Sequence, residues 1–262
     1  MSVRIGLAFG PFPFSGPRAF WRWVDACEDS EIDSIFLPAT IDLLSDGRFL
    51  PMFGVGEDFD PEWAAMGLSP RNRGAKTNEM IEIITSLWAR DHVDYAGKHY
   101  QLRDVTVAPK PKQSPLPLWI GGRSEAAIER TARYGYGWIG GSTSVPEEIG
   151  RIVVAIRTRA TELGRTIEDD HYGAGFNFRF GMWSEPIVER VIEANRTRMG
   201  STNPSRYLAV GDAEAILGRI TAFREQGISK FVLRPIAASD DEMVEQSLRL
   251  SREVIPLAQE MG

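Results

Sequence analysis

The sequence is poor in the residues that build disulfides and metal centres. Its 262 residues include one cysteine and three histidines. A single cysteine cannot form an intrachain disulfide, so we expect a reducing compartment and a buried apolar position for Cys27. His92, His99 and His171 lack the spacing of metal ligands, and we therefore predict no metal site. Neither a Gly-x-Ser-x-Gly motif nor a phosphate-loop motif is present, so a serine hydrolase or a P-loop enzyme has no support.

The sequence also lacks an excess of basic residues and any long apolar segment. The formal charge is -6 and the pI is about 5.3, so no broad cationic surface is available for nucleic acid. The first ten residues, MSVRIGLAFG, run directly into a strand pattern and resemble neither a signal sequence nor a membrane span. We therefore expect a cytoplasmic protein that binds neither nucleic acid nor membranes.

Short apolar strands alternate with amphipathic helices along the chain. The clearest strand is predicted at 172–180, where bulky residues alternate with small or polar ones. The clearest helix is predicted after Ser144, which begins a capping-box pattern. A hairpin and a Pro-rich connector form an excursion at about 91–116. The alternation predicts parallel βαβ units in one α/β domain over 1–262, arranged as a closed barrel or as an open doubly wound sheet.

A set of motifs in a fixed order indicates the type of protein more specifically than the periodicity does. The motifs are LLSDGRF (43–49), GVG (54–56), RGAKTNEM (73–80), GKHY (97–100), PKP (109–111), PLWIGG (117–122) and ARYGYGW (132–138). Their order and spacing resemble the luciferase-like monooxygenase superfamily, in particular its F420-dependent and FMN-dependent branches. The resemblance implies a luciferase-like TIM-type (β/α) barrel and one cofactor, F420 or FMN, which it does not distinguish.

One part of the family pattern is absent. Pro38 is followed almost directly by the segment at 41–44, where the family has at least one further strand-helix unit. Because a βαβ unit needs roughly 30 residues, we predict a barrel shortened or incomplete by about one strand and helix. An open sheet edge favours pairing with another chain, so we expect a homodimer. F420-using relatives have a His just after the second strand, and here Ala39 and Thr40 take its place.

Glycine-rich turns at two strand ends are candidates for a cofactor-binding site. The segments Gly121-Gly122-Arg123 and Gly140-Gly141-Ser142 each lie between a predicted strand and a predicted helix, where backbone N–H groups can bind an anion. Arg123 can add a charge-assisted hydrogen bond. The alternative for each glycine pair is a tight turn without a ligand. The resemblance implies that both turns line the cofactor phosphate.

A third strand-end turn contains Gly54 and Gly56, followed by Glu57. The glycines would let a flat ring lie against the backbone. The resemblance implies a proton-donor role for Glu57, and a carboxyl group beside an apolar ring has the raised pKa that this role needs. The alternative is that Glu57 and Asp58 form an acidic cap on a helix that starts near Pro61.

Three polar residues are predicted at the inner face of the sheet. Asn177 and Arg179 lie on the narrow face of the strand at 172–180, and Arg234 ends the last predicted strand. An arginine inside a barrel must reach water or bind an anion. We therefore treat these residues as candidate ligands of a substrate or cofactor anion. The alternative for each arginine is a structural ion pair with an acidic residue of the chain.

The leading functional prediction is a flavin- or deazaflavin-dependent oxidoreductase that acts on a small organic substrate. It would transfer hydride with F420, or monooxygenate with reduced FMN supplied by a separate flavin reductase. A second hypothesis is a flavin-binding homologue whose catalysis is impaired by the missing part of the active-site wall. A third is a barrel isomerase or lyase that uses the same phosphate site, because fold does not dictate function.

Overall fold

A parallel sheet covered by helices forms the body of the protein. The computed structural model describes residues 4–8, 15, 17–29, 34–36, 42, 47–56, 62–107, 110–199 and 203–261. The strands are β1 Arg4–Ala8, β2 Ser34–Phe36, β3 Met52–Phe53, β4 Val93–Ala96, β5 Gln101–Val105, β6 Trp119–Gly121, β7 Gly137–Gly140, β8 Tyr172–Phe180, β9 Leu208–Gly211 and β10 Lys230–Pro235. The helices are α1 Pro17–Glu28, α2 Glu62–Ala65, α3 Arg73–Ala89, α4 Glu125–Tyr134, α5 Pro146–Glu162, α6 Pro186–Asn195, α7 Ala213–Arg224, α8 Asp240–Glu253 and α9 Ile255–Glu260. Within these ranges, no helix combines the length and apolarity needed to cross a bilayer.

The strand order is β2-β1-β10-β8-β7-β6-β3, and all neighbours in this path are parallel. Strand β9 also pairs in parallel with the carboxyl half of β8. The predicted parallel βαβ arrangement is therefore confirmed. Among the described residues the path ends at β2 and β3, and these two strands flank the position where the chain is predicted to lack a strand-helix unit of the family. The predicted hairpin is present as the separate antiparallel pair β4 and β5.

The two faces of the sheet have different partners. Alternate residues of β8 pack against the helices, and the ring of Phe176 stacks on that of Phe223 in α7 with centroids 6.0 Å apart. We call this the outer face. Residues of the opposite parity on β6, β7 and β10 form a second cluster without helical residues, consisting of Trp119, Ile139 and Val232 with Leu50 against them. We call this the inner face.

Trp119 fills the inner face at the amino ends of the strands. Its side chain is buried, and glycines on the next two strands of the sheet, β7 and β8, make room for the indole. A methyl group at Gly137 would lie 2.7 Å from the indole, and one at Gly173 would lie 3.4 Å from it. The Lys230 ammonium lies 5.2 Å from the centroid of the same ring. The indole therefore occupies this end of the inner face in the part of the chain that the structure describes.

The start of α5 differs from the sequence prediction. The helix begins at Pro146 with Val145 as its N-cap, and no side chain caps it. Ser144, the residue before this N-cap, is buried, and its backbone N–H donates to the Gly141 carbonyl at 3.0 Å. The capping-box prediction for Ser144 was wrong because Pro146, with its fixed φ, occupies the first helical position. Pro146 has no N–H group and the Glu148 N–H donates to the Val145 carbonyl at 3.1 Å, so the Glu147 N–H is the first of α5 that no side chain caps.

Candidate active site

Inner-face residues at the carboxyl ends of the strands come together at one edge of the sheet. Ligand sites of parallel α/β folds assemble at this edge. Side-chain alternation places the relevant residues on the inner face, because their neighbours Phe53, Ile120 and Gly140 contact outer-face partners. We call the following five residues the inner rim: Gly54, Gly121, Gly141, Asn177 and Arg234.

Three of the predicted glycines have structural reasons to be glycine. Gly122 has a φ of 118° and a methyl group there would lie 2.8 Å from Ala127 Cβ. A methyl group at Gly140 would overlap Ile149 of α5. Gly56 has a φ of 69°, in the left-handed region that favours glycine. The tight-turn or packing alternative therefore explains Gly122, Gly140 and Gly56.

The inner-rim glycines have no such explanation. Neither Gly54 nor Gly141 has a positive φ, and a methyl group at either would meet no described atom within 4 Å. At Gly121 the nearest atom would be the Ile139 carbonyl oxygen, at an ordinary 3.7 Å. Backbone geometry and packing would therefore accept a side chain at Gly141. Glycine there leaves open space in front of the backbone, beside the uncapped start of α5.

Arg123 lies outside this group. Its side chain is exposed, and its guanidinium contacts Glu148 in the first turn of α5 at 3.4 Å. The preceding helix, α4, is capped in the usual way, because Ser124 accepts a hydrogen bond from the Ala127 N–H at 3.3 Å. An anion at the start of α5 would compete with Glu148 for Arg123, so the residue remains a candidate peripheral ligand.

Arg234 and Ser142 do come together. The Arg234 Nη1 lies 3.3 Å from Ser142 Oγ, which links the ends of β10 and β7. Burial, followed by the nearby positive charge of Arg198, lowers the pKa of Arg234. Arg234 is paired in register with Asn177 of β8, so both side chains lie on the inner face. The Asn177 Oδ1 is buried and has no hydrogen-bond partner among the described residues.

Arg179 has a different environment from Arg234. Its Nη2 lies 2.6 Å from Glu185 Oε2, its Nη1 lies 3.0 Å from Glu242 Oε2, and Nη1 also donates to the Ile236 carbonyl at 2.8 Å. Burial alone would lower the pKa of Arg179, but the hydrogen bonds to Glu185 and Glu242 outweigh it and raise the pKa. The charge of Arg179 is thus neutralised within the chain, and the ion-pair alternative applies to it.

Glu57 lies outside the described residues, as do Ala39 and Thr40. Two features of the site went unrecognised in the sequence. Trp119 closes the amino end of the inner face, and Arg198 adds positive charge near Arg234. The glycines of β8 gave a signal for the first, since small residues on one face of a strand indicate that a bulky group lies against it. Arg198 carries no local sequence signal.

The family model for luciferase-like monooxygenases matches residues 38–206. The chain belongs to the luciferase-like monooxygenase family. It is similar to the F420-dependent glucose-6-phosphate dehydrogenase of Amycolatopsis mediterranei, with 24% identity over 253 residues that cover 86% of this chain and 74% of that protein. It is also 30% identical over 194 residues to the pyrimidine monooxygenase RutA of Methylobacterium radiotolerans, covering 66% of this chain and 50% of that protein.

Other relatives match a shorter stretch. An uncharacterised protein of Mycobacterium tuberculosis is 33% identical over 114 residues, which cover 43% of this chain. The chain spans 38% of the length of that protein and half the length of the pyrimidine monooxygenase. Thus the curated relatives of this luciferase-like chain include F420-dependent enzymes and a monooxygenase, together with proteins of no assigned activity.

Solved structures show the same fold. The oxygenating constituent of 3,6-diketocamphane monooxygenase from Pseudomonas putida, in complex with FMN, has a TM-score of 0.73 at 14% identity and covers 98% of this chain and 99% of its own. The F420-dependent tetrahydromethanopterin reductase of Methanopyrus kandleri has a TM-score of 0.71 at 13% identity with the same coverage. At this identity the likeness shows the fold, which is the luciferase-like α/β type predicted from the sequence.

Proposed function

We propose that the protein is an F420- or FMN-dependent oxidoreductase whose cofactor binds along the inner rim. The observation that carries the proposal is Gly141, which is glycine although neither its backbone nor its surroundings require it. Open backbone beside an uncapped helix start is suited to a phosphate group, because N–H donors and the helix dipole favour an anion there. Both F420 and FMN carry a phosphate, and both occur among relatives of this chain.

The residues present fit such a cofactor. The backbone at Gly141, the Glu147 N–H at the start of α5 and the Ser142 hydroxyl would hold the phosphate, with Arg123 at its outer side. Gly54 and Gly121 would leave space for the ring against β3 and β6. When bound, F420 supplies hydride transfer, whereas reduced FMN supplies electrons for monooxygenation. Trp119 excludes water from the amino end of the inner face, and Glu57 remains the predicted proton donor.

Titration of the purified protein with F420 and with FMN, each oxidised and reduced, tests the proposal. We expect quenching of cofactor fluorescence on binding of one of the two. Binding of F420 alone would eliminate the monooxygenase form of the proposal, and binding of FMN alone would eliminate the F420 form. If neither cofactor binds, the proposal is wrong.

A matched pair of substitutions tests the placement of the phosphate. In Gly141→Val the added side chain fills the open space, and we expect a loss of cofactor affinity of about tenfold or more, the size of one lost charge-assisted hydrogen bond. Gly218 of α7 likewise has no described atom near its added methyl position. Gly218→Val should therefore leave cofactor affinity unchanged. Equal affinities in the two variants would move the phosphate away from Gly141.

The end of the sheet path at β2 and β3 supports two further parts of the proposal. A second copy of the chain would cover these edges, so we propose a homodimer, which light scattering at several concentrations would test. The strand-helix unit predicted to be missing between β2 and β3 favours the alternative of an impaired homologue. That alternative predicts cofactor binding without turnover, even with a flavin reductase present in the assay, whereas the main proposal predicts reoxidation of the reduced cofactor by an acceptor.

A further inference from the structure

Arg234 carries a positive charge that the described chain does not balance. Its side chain is half-buried, and its one hydrogen bond among the described residues goes to the neutral hydroxyl of Ser142. No ion pair of Arg234 occurs within the described residues. An arginine side chain stays protonated in proteins. Because an unpaired charge that is partly removed from water is costly, the position is suited to an anion that is not part of the chain.

Arg179 and Arg234 differ in the charged groups that lie near them. Both arginines lie on the inner face at the carboxyl ends of adjacent strands; Arg179 is buried and Arg234 is half-buried. Arg179 binds two carboxylates, that of Glu185 just before α6 and that of Glu242 in α8. At Arg234 the additional charge nearby is positive, from Arg198. Among the described residues, Arg179 is thus neutralised by carboxylates, whereas the charge near Arg234 is the like charge of Arg198.

Asn177 adds a second requirement for the ligand. It lies opposite Arg234 in the sheet register, and its buried Oδ1 accepts no hydrogen bond from a described residue. Buried polar atoms in native proteins nearly always have a partner, so an unmatched acceptor indicates a missing donor. A ligand that places an O–H or N–H group beside its anionic group would satisfy Asn177 and Arg234 together.

We propose that Arg234 and Asn177, with Ser142, form a substrate subsite for a small organic oxyanion, a carboxylate or a phosphate ester, that bears a hydroxyl or N–H donor next to the anionic group. The inference rests on the proposed function, because it takes this anion to be the substrate that lies beside the cofactor. It assigns the phosphate of the cofactor to Gly141 and α5, and the anionic group of the substrate to Arg234.

Thermal unfolding with two probes, inorganic phosphate and L-lactate, tests the charge requirement. In anion-free buffer, Arg234→Met removes an unbalanced charge, and we expect its Tm to exceed that of the wild type by about 3 °C or more. Saturating phosphate or lactate should raise the Tm of the wild type and leave that of Arg234→Met unchanged. Arg22, in an exposed ion pair with Asp241, supplies the control, because Arg22→Met should keep the response to both anions.

Two results of that experiment would overturn the subsite. A variant Arg234→Met that is less stable than the wild type, or that does not fold, would mean that the chain itself satisfies the guanidinium. An equal response of wild type and variant to both anions would mean that the anions bind elsewhere.

Lactate and propionate differ only in the hydroxyl group, so they test the role of Asn177. We expect the wild type to bind lactate about fivefold or more tightly than propionate, as one added hydrogen bond provides. In Asn177→Leu this preference should disappear while the propionate affinity changes little. The same affinity of the wild type for both acids would refute the donor requirement.

Measurements of cofactor binding distinguish this inference from the proposed function. Riboflavin lacks the phosphate of FMN, so the affinity ratio of FMN to riboflavin measures phosphate binding. Arg234→Met should keep the wild-type ratio, and loss of the ratio would assign Arg234 to the cofactor phosphate and overturn the subsite. If the wild type binds neither FMN nor F420 but still binds lactate through Arg234, the proposed function fails and the oxyanion site stands.

Discussion

Replacement of Arg179 by methionine tests how the carboxyl end of β8 is held. The guanidinium connects three segments, because it binds Glu185 at the start of α6, Glu242 in the first turn of α8 and the Ile236 carbonyl after β10. Methionine keeps the apolar stem of the side chain and removes these hydrogen bonds. We expect a folded protein with markedly lower stability at pH 7.

The magnitude follows from the exposure of the partners. Loss of one partner of a buried ion pair costs about 3–5 kcal/mol. The Arg179 side chain is 7% exposed, but those of Glu185 and Glu242 are 26% and 35% exposed and can recover part of their hydration. We therefore expect the lower end, about 3 kcal/mol, which corresponds to a fall in Tm of roughly 6–12 °C for a chain of this size.

The pH dependence of the effect has a defined sign. The Arg179 hydrogen bond is the largest cause that holds the pKa of Glu185 below its ordinary value of 4.5. For Glu242 the largest cause is the Ala238 N–H, and Arg179 adds to it. Carboxyl groups with lowered pKa values contribute stability above the ordinary pKa that is lost as the pH falls through the folded-state value. The difference between wild type and Arg179→Met should therefore be largest at neutral pH and shrink below about pH 4.5.

Urea unfolding followed by circular dichroism at pH 7 and at pH 3.5 measures both quantities. Arg22→Met is the control, since the Arg22–Asp241 pair is also short, 2.7 Å, but exposed on both sides. Such surface pairs contribute about 1 kcal/mol or less. If Arg179→Met were as mild as Arg22→Met, or if its effect were independent of pH, the ion-pair interpretation of Arg179 would be refuted.

The other predictions concern single positions. Gly140→Ala should lower stability by about 1–3 kcal/mol because its methyl group overlaps Ile149, whereas Gly141→Ala should not, and equal unfolding midpoints would contradict the assignment of the two glycines to different faces. Gly137→Ala should also destabilise, since its methyl group would meet the Trp119 indole at 2.7 Å and the His171 carbonyl at 2.8 Å, and a Tm equal to that of the wild type would argue against the tight fit. The Lys98, His99 and Tyr100 amides donate to the Glu79 carboxylate, so Glu79→Gln should speed hydrogen exchange at these amides. Unchanged exchange would show that the turn is stable without these hydrogen bonds.

The sequence predicted elements whose signal is local. The alternation over 172–180 identifies β8 with its observed bounds. Strand β9 has no such signal, because four residues are too few for a periodic pattern and the strand depends on pairing with β8. Strand β3, which leads into the turn at Gly54, likewise has only the two residues that pair with β6.

The candidate site likewise has features that the sequence predicts and features that depend on distant contacts. Glycine-rich turns at strand ends are visible in the sequence, but which glycine faces the helices and which faces the inner rim depends on strand parity and on contacts such as that with Ile149. Arg179 and Arg234 look alike in the sequence, since both end an inner-face strand pattern. Their difference depends on Glu242, which is 63 residues from Arg179 in the chain. No local pattern reports such a contact.

The position of Trp119 bears on how molecules reach the protein's interior. Since the Trp119 indole occupies the inner face at the amino ends of the strands, a cofactor and a substrate bound as proposed would both enter from the opposite end. A molecule held at Arg234 would then have to leave before, or past, whatever is seated closer to that entrance. The order of binding and release, which transient kinetics would measure, would then depend on Trp119 and on Gly137 and Gly173, the glycines that make room for its indole.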